Sequence, residues 1–215
     1  MARHLGVLML DTRFPRVPGD AGNPQSWPMP VRFAVVQGAS PQRVVREGDP
    51  ALLEPFMAAA QRLAEAGAAA ITTSCGFLVQ FQAALQAALP VPVWTSSLLK
   101  LPELESPGVI TVDSESLTTA HLIAAGAQAD TPVEGLTPGC SLQRTLLGDL
   151  AEIDTAAAEM DVAAAALRLV RRVPALRSLV LECTNMPPYA AAVQRATGRP
   201  THHLLSLVTE RWNHL

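Results

Sequence analysis

The chain of 215 residues predicts an α/β fold of two pseudosymmetric lobes, each a parallel sheet sandwiched by helices, with the active site between them. Three observations carry this. Strand-like and helix-like segments alternate along the whole length, the pattern of a parallel sheet with crossover helices. Apolar runs such as Ala34-Val35-Val36 and Leu179-Val180-Leu181 lack the polar alternation of a half-exposed strand, so they suit strands covered on both faces. A strand–cysteine–helix unit occurs twice, at Cys75 and at Cys183, about half the chain apart.

The elements follow in order. Residues 5–10 form a first strand. The loop after it carries Pro15, Pro18, Gly19, Gly22 and Pro24, which exclude regular structure. Residues 31–37 form a second strand. Asp49-Pro50 reads as an N-cap with proline at the first helical position, opening a helix to about residue 66 that ends at Gly67. Residues 68–73 are the strand before Cys75, and a helix over 77–89 follows until Pro90 stops it. A strand at 91–95 leads to a short helix capped by Ser96 or Ser97. In the second half, residues 108–112 form a strand and Ser114 caps a helix over 115–125. A short strand near 133–136 and a loop through Pro138-Gly139 come next. A long helix over 152–172 ends on Arg171 and Arg172, which suit its C-terminal dipole. Residues 178–182 are a strand, a helix runs from about 188 to 197, and a terminal helix closes the chain. Residues 1–104 with about 203–215 are expected in the first lobe and 105–202 in the second.

Composition bounds the function. Hydrophobic residues make up 49% and charged residues 16%, enough for a large core and too ordered for a disordered chain. The net charge of −3 and the scattered basic residues exclude a nucleic-acid partner on electrostatic grounds. No run of about eighteen apolar residues exists, so no membrane partner is expected, and MARHLGVLMLDT is too short in apolar length for a signal peptide. Three cysteines without a CxxC spacing predict free thiols in a reducing, cytoplasmic setting and no metal site.

A thiol where a strand ends and a helix begins lies near unpaired backbone N–H groups and the positive end of a dipole. Both favour thiolate and predict a pKa below the free value of about 8.5. The same amides suit a substrate carboxylate. Thr72, Thr73, Ser74 and Thr184 add hydroxyls beside them. The pattern suits a small carboxylate-bearing substrate with an acidic C–H next to the carboxylate. One thiolate removes the proton and the opposite thiol returns one, without a cofactor.

Asp11-Thr12 after the first strand, Thr72-Thr73-Ser74-Cys75 after the third, and Cys183-Thr184 in the second half resemble the aspartate/glutamate/hydantoin racemase superfamily. The resemblance spans most of the chain. It implies a two-lobed sandwich with one cysteine per lobe and no metal or pyridoxal phosphate. It also implies a racemase with Cys75 and Cys183 as catalytic acid and base, and it raises the expectation of a homo-oligomer. Asp11, Thr12, Thr73, Ser74, Gly76, Thr184 and Asn185 are then the substrate-binding candidates. The pattern departs from the family in three places. Asn185 stands where racemases carry His or Glu. Thr73 and Ser74 precede Cys75, so that in another register Thr72 takes the family's cysteine position. The loop from Asp11 is unlike the glycine-rich turn of glutamate racemases. Two alternatives therefore stay open: a decarboxylase or isomerase of a small dicarboxylate that uses Cys183 alone, and a non-catalytic small-molecule binder.

Other candidates have ordinary structural readings beside functional ones. Arg13 and Arg16 are loop arginines that could clamp a carboxylate. Asp20 and Asn23 suit turns. Glu182, just before Cys183, reads as a buried, paired carboxylate or as an unusual base. Cys140 reads as structural. His202 or His203 could approach the cleft, and Trp27 and Tyr189 read as packing residues.

Overall fold

The computed structural model describes residues 3–215, so Met1 and Ala2 of the N-terminal reading lie outside it. Among the described residues, eight strands form two four-stranded parallel sheets. The first joins β1 (His4–Leu10), β2 (Val31–Val36), β3 (Ala68–Thr73) and β4 (Val93–Trp94) in the order β2-β1-β3-β4. The second joins β5 (Pro107–Thr111), β6 (Val133–Gly135), β7 (Ser178–Leu181) and β8 (Thr201–His202) in the order β6-β5-β7-β8. The second order repeats the first with each strand advanced by four. The two halves therefore share one winding, and β3 and β7 occupy equivalent places.

The central strands are buried along their full length, which explains why β1 and β7 read as continuous apolar runs. Alternate residues of β1 serve different cores. Leu8 and Leu10 join the large cluster that runs through both halves, whereas Leu5, Val7 and Met9 pack with Trp27, Met29 and Trp94 under the final helix. That helix, Leu204–Trp212, returns to the first sheet through Leu204 and Val208.

The helices are α1 (Leu53–Glu65), α2 (Gln82–Ala88), α3 (Thr119–Ala124), α4 (Ser141–Leu147), α5 (Thr155–Arg172), α6 (Ala190–Thr197) and α7 (Leu204–Trp212). Asp49 accepts a hydrogen bond from Ala51 N at 2.9 Å and caps a 3₁₀ turn, Pro50–Leu52, that runs into α1. Gly67 after α1 sits at φ 90°, a conformation that favours glycine. Asp154 caps α5 through Ala157 N at 2.9 Å.

Several readings differ from the structure. The helix expected over 77–89 is a 3₁₀ segment, Gly76–Phe81, followed by α2, and the tighter winding buries Phe77, Leu78, Val79 and Phe81 together. Ser114 caps nothing. Asp113 holds that turn instead, accepting from Glu115 N and Ser116 Oγ, and α3 starts later behind Thr118. The region after Pro138-Gly139 contains α4, whose Leu142 and Leu146 lie one turn apart and are buried. A wide π turn, Gln42–Arg46, and the two-residue β8 are too short to announce themselves in sequence. Among the described residues, no helix is long and apolar enough to cross a membrane.

Replacing Asp154 by Ala removes the cap of the longest helix and is expected to lower stability by about 1 kcal/mol. The measurement is thermal unfolding, with a fall of about 2–4 °C in a chain of this size.

Candidate active site

The carboxyl ends of β3 and β7 meet. Thr184 Oγ1 donates to the Ser74 carbonyl at 2.6 Å, and Ser97 Oγ donates to the Leu181 carbonyl at 2.7 Å. Between them lies a narrow cavity of about 30 Å³. Ser74, Cys75 and Gly76 form one wall, and Glu182, Cys183, Thr184 and Asn185 form another. Leu10, Phe14, Pro41, Val45, Val112, Leu146 and Leu147 close the remainder with apolar surface. Both thiols are free and buried, and each is felt electrostatically by the other side of the cavity.

Each thiol sits at the turn after its strand, as the sequence predicts. The backbone amides of Phe77 and Leu78 point at Cys75, and that of Asn185 points at Cys183. Their effect is in the expected direction, toward thiolate. The net result is the reverse of the expectation. Burial in the apolar cavity, reinforced by the neighbouring Glu182 carboxylate, pushes the Cys75 thiol up to about 12 and raises Cys183 well above the ordinary thiol range. Desolvation of a thiolate outweighs two or three amide dipoles when little water reaches it.

Asn185, the departure from the racemase pattern, is built into the site. Its Oδ1 accepts from Cys183 Sγ at 3.5 Å, while its Nδ2 donates to the buried Asp20 carboxylate. Asp20 is held in turn by Arg16 at 3.2 Å and by Gly22 N at 2.6 Å. Burial raises Asp20, and Arg16 is the largest influence pulling it back. Arg16 also donates to Thr12 Oγ1 at 3.0 Å and lies over the Phe14 ring. A chain of contacts thus runs from the first loop to Cys183 and sets the direction of its S–H. An oxygen that accepts from S–H favours the protonated thiol, so this network orients Cys183 without ionising it.

Of the sequence-predicted residues, Ser74, Cys75, Gly76, Cys183, Thr184 and Asn185 come together on the cavity. Thr184 spends its hydroxyl hydrogen on Ser74. Asp11, Thr12 and Thr73 lie off the cavity. Asp11 is exposed and accepts from Gly38 N at 3.0 Å, Thr12 receives Arg16, and the Thr73 hydroxyl serves the backbone carbonyls of Cys75 and Thr95. Arg13 pairs with Asp149 at the surface, and Asn23 holds its turn. His203 caps α7 through Ser206 N, and Trp27 donates to Ala21 O. The apolar wall from Leu146 and Leu147 escapes the sequence reading, which assigns no element to the residues after Pro138-Gly139 where α4 lies. Its signal was the Leu142–Leu146 spacing. Among the described residues, no group of three or more His, Cys, Asp or Glu is placed to hold a metal ion.

Glu182 is not exposed, and among the described residues it forms no ion pair. It is fully buried, Thr111 Oγ1 donates to its Oε2 at 2.7 Å, and Oε1 forms no hydrogen bond with any described residue. Desolvation pushes its carboxyl up to about 8 against that one hydrogen bond. Gly76 makes the room: a Cβ there would lie 2.2 Å from Glu182 Oε1 and 2.4 Å from its carbonyl oxygen.

Solved structures with this fold include unliganded arylmalonate decarboxylase, matched over 93% of this chain and 86% of that one, with a TM-score of 0.60 and 19% identity. A glutamate racemase isoform from Bacillus anthracis matches over 99% and 82%, with a TM-score of 0.57 and 17% identity. The fold is that of the aspartate/glutamate racemase superfamily. No protein-family model matches the chain. Within this racemase fold, sequence similarity is higher to a different group. The chain is 28% identical over 215 residues to a dimethylsulfoniopropionate lyase of Durusdinium sp. clade D, covering 92% of this chain and 70% of that protein. It is 29% identical over 220 residues to dimethylsulfoniopropionate lyase 3 of Emiliania huxleyi, covering 91% and 55%. It is also 28% identical to lyase 7 of the same organism, covering 91% and 62%. The chain thus spans between about half and 70% of the length of these relatives.

Gly76→Ala forces the Glu182 backbone to shift and is expected to lower stability by about 1–3 kcal/mol, as overpacking does. An unchanged urea midpoint would remove the close approach. Glu182 also gives a pH signature. Its folded pKa lies above the unfolded 4.5, so the folded protein binds the proton more tightly. Its contribution to stability is complete below about 4.5 and is lost as pH rises through about 8. Urea unfolding of the wild type and Glu182→Gln across that window is expected to show the wild type losing stability relative to the variant as pH rises.

Proposed function

We propose that this chain is a cofactor-independent lyase that removes a proton alpha to a carboxylate and expels a sulfur leaving group from the beta carbon. Dimethylsulfoniopropionate is the proposed substrate. The reading rests on one conjunction: two strand-end thiols open onto a single buried cavity, in a chain 28–29% identical over nine-tenths of its length to dimethylsulfoniopropionate lyases.

The chemistry needs one base. The Cys183 thiolate takes the alpha proton and becomes a thiol. The C–H electron pair forms the double bond, and the beta C–S bond breaks with its pair going to sulfur. The products are dimethyl sulfide, acrylate and one proton. A sulfonium leaves as a neutral sulfide, so no acid has to protonate it. Apolar walls from Phe14, Val45 and Leu147 suit the two S-methyl groups, and water kept from the cavity leaves the thiolate strongly basic. The cavity is small, so the substrate displaces the Phe14 and Leu146-Leu147 walls on binding.

A second reading is racemisation, which the presence of Cys75 on the facing wall favours. Elimination needs Cys183 alone, whereas racemisation needs both thiols. The purified protein is expected to release dimethyl sulfide from dimethylsulfoniopropionate, measured by headspace gas chromatography. Cys183→Ala is expected to lose turnover by about 10²–10⁴-fold, the usual worth of a general base, and Cys75→Ser to retain it. Absence of dimethyl sulfide, together with alpha-deuterium exchange into amino acids that requires both cysteines, would replace this reading with racemisation. Turnover is expected to rise as pH is raised through neutrality, because burial disfavours the negative charge that the reacting form carries.

A further inference from the structure

We propose that Glu182 and the Cys183 thiol form one acid/base unit, in which the Glu182 carboxylate takes the thiol proton through the cavity that both line. The proposal deepens the lyase reading and rests on Cys183 being its base. Three observations carry it. Glu182 and Cys183 are consecutive at the end of β7 and line the same cavity, and Cys75 faces them. Only one oxygen of Glu182 is held: Oε2 by Thr111 at 2.7 Å, while Oε1 has no hydrogen bond among the described residues. Gly76 is cut away where Oε1 lies, so that a side chain at that position would displace the carboxyl oxygen. A carboxyl buried for structural reasons would be expected to have a cation or a full set of donors. This one has neither.

The groups around it leave one negative charge to share. Cys75 faces it and Cys183 is its neighbour on the same wall. Asp20 acts on Cys183 but is paired with Arg16, whose guanidinium is also committed to Thr12. Asp113, at the end of β5, is paired with Arg46 at 2.8 Å. On α3, His121 packs edge-on against Phe77, and Tyr189 lies beyond Cys183. An ionised Glu182 raises both thiols, so carboxylate and thiolate do not readily coexist there. Protonation of Glu182 removes that repulsion at the moment the thiolate forms.

The steps balance. Glu182 carboxylate and Cys183 thiol become carboxylic acid and thiolate; a cavity of about 30 Å³ has room for one water, which can carry the proton before the substrate enters and expels it. The thiolate then takes the alpha proton as the sulfide departs. The site is left with an acid and a thiol, and Glu182 returns its proton to solvent when the cavity opens. One proton is released per turnover.

The test needs no substrate. The rate at which iodoacetamide alkylates Cys183 is followed by mass spectrometry from neutral to strongly alkaline pH. In the wild type the rate is expected to rise, level off at the Glu182 midpoint and climb again. In Glu182→Gln it is expected to climb without levelling, its excess over the wild type growing about tenfold per pH unit across the wild-type plateau. Thr111→Val, which removes the one donor favouring the carboxylate, is expected to move the level to higher pH, and it carries the test if Glu182→Gln does not fold. Superimposable profiles in wild type and variants overturn the proposal. So does a Cys183 that is unlabelled at every pH, because a thiol reached by substrate is also open to a small reagent. Dimethyl sulfide release is scored separately. Its absence with a two-step alkylation profile refutes the lyase and leaves the pair, whereas its presence with a one-step profile does the opposite.

Discussion

The hydrogen bond from Thr184 Oγ1 to the Ser74 carbonyl joins the two sheets at the ends of their third strands. Both groups are buried, so each would be expensive to leave unpaired. The contact places the turn after β3 against the turn after β7, and with them the two cysteines, the Glu182 carboxyl and the glycine that accommodates it. The repeated topology makes this possible, because equivalent strands in the two halves present equivalent ends. Function at the ends of parallel strands is usual in open α/β sheets. Here two sheets supply one such end each.

The electrostatics of the cavity follow from the same closure. Two sulfurs and a carboxyl are taken from water with Arg16 as the nearby cation, and that cation is already paired with Asp20. Neutral forms are favoured throughout. A thiolate formed in such a site is strong as a base because it is unsolvated, and scarce because its pKa is high. Asn185 fits this regime. It directs the Cys183 S–H through Oδ1 and is anchored through Nδ2 to Asp20, contributing orientation where a charged residue would contribute a further ionisation.

Much of this was legible in the chain. The unbroken apolar strands gave the parallel sheets, the capping residues Asp49 and Ser96 marked helix starts, and the two strand–cysteine–helix units located both walls of the cavity. The expected site residues that lie off the cavity share a reason. Asp11 and Thr73 carry side chains that serve backbone as readily as substrate, and nearby sequence does not say that Gly38 N, 27 positions on, or the Thr95 carbonyl, 22 positions on, takes the hydrogen bond. Asp20 is the instructive case. It holds the turn at Gly22 with one oxygen, as expected, and reaches Asn185, 165 positions away, with the other.

Local sequence alone determined that two thiols stand at strand ends beside threonines, because strand periodicity and helix punctuation are short-range properties. It also pointed to amide dipoles beside each sulfur, and those dipoles are there. Only the tertiary structure decided that these thiols resist ionisation. Burial depends on which distant segments close the cavity, and Phe14, Val45 and Leu146 come from three separate parts of the chain. The sign of a pKa shift is set by everything within several ångströms. The sequence neighbours of a cysteine are the smaller part of that.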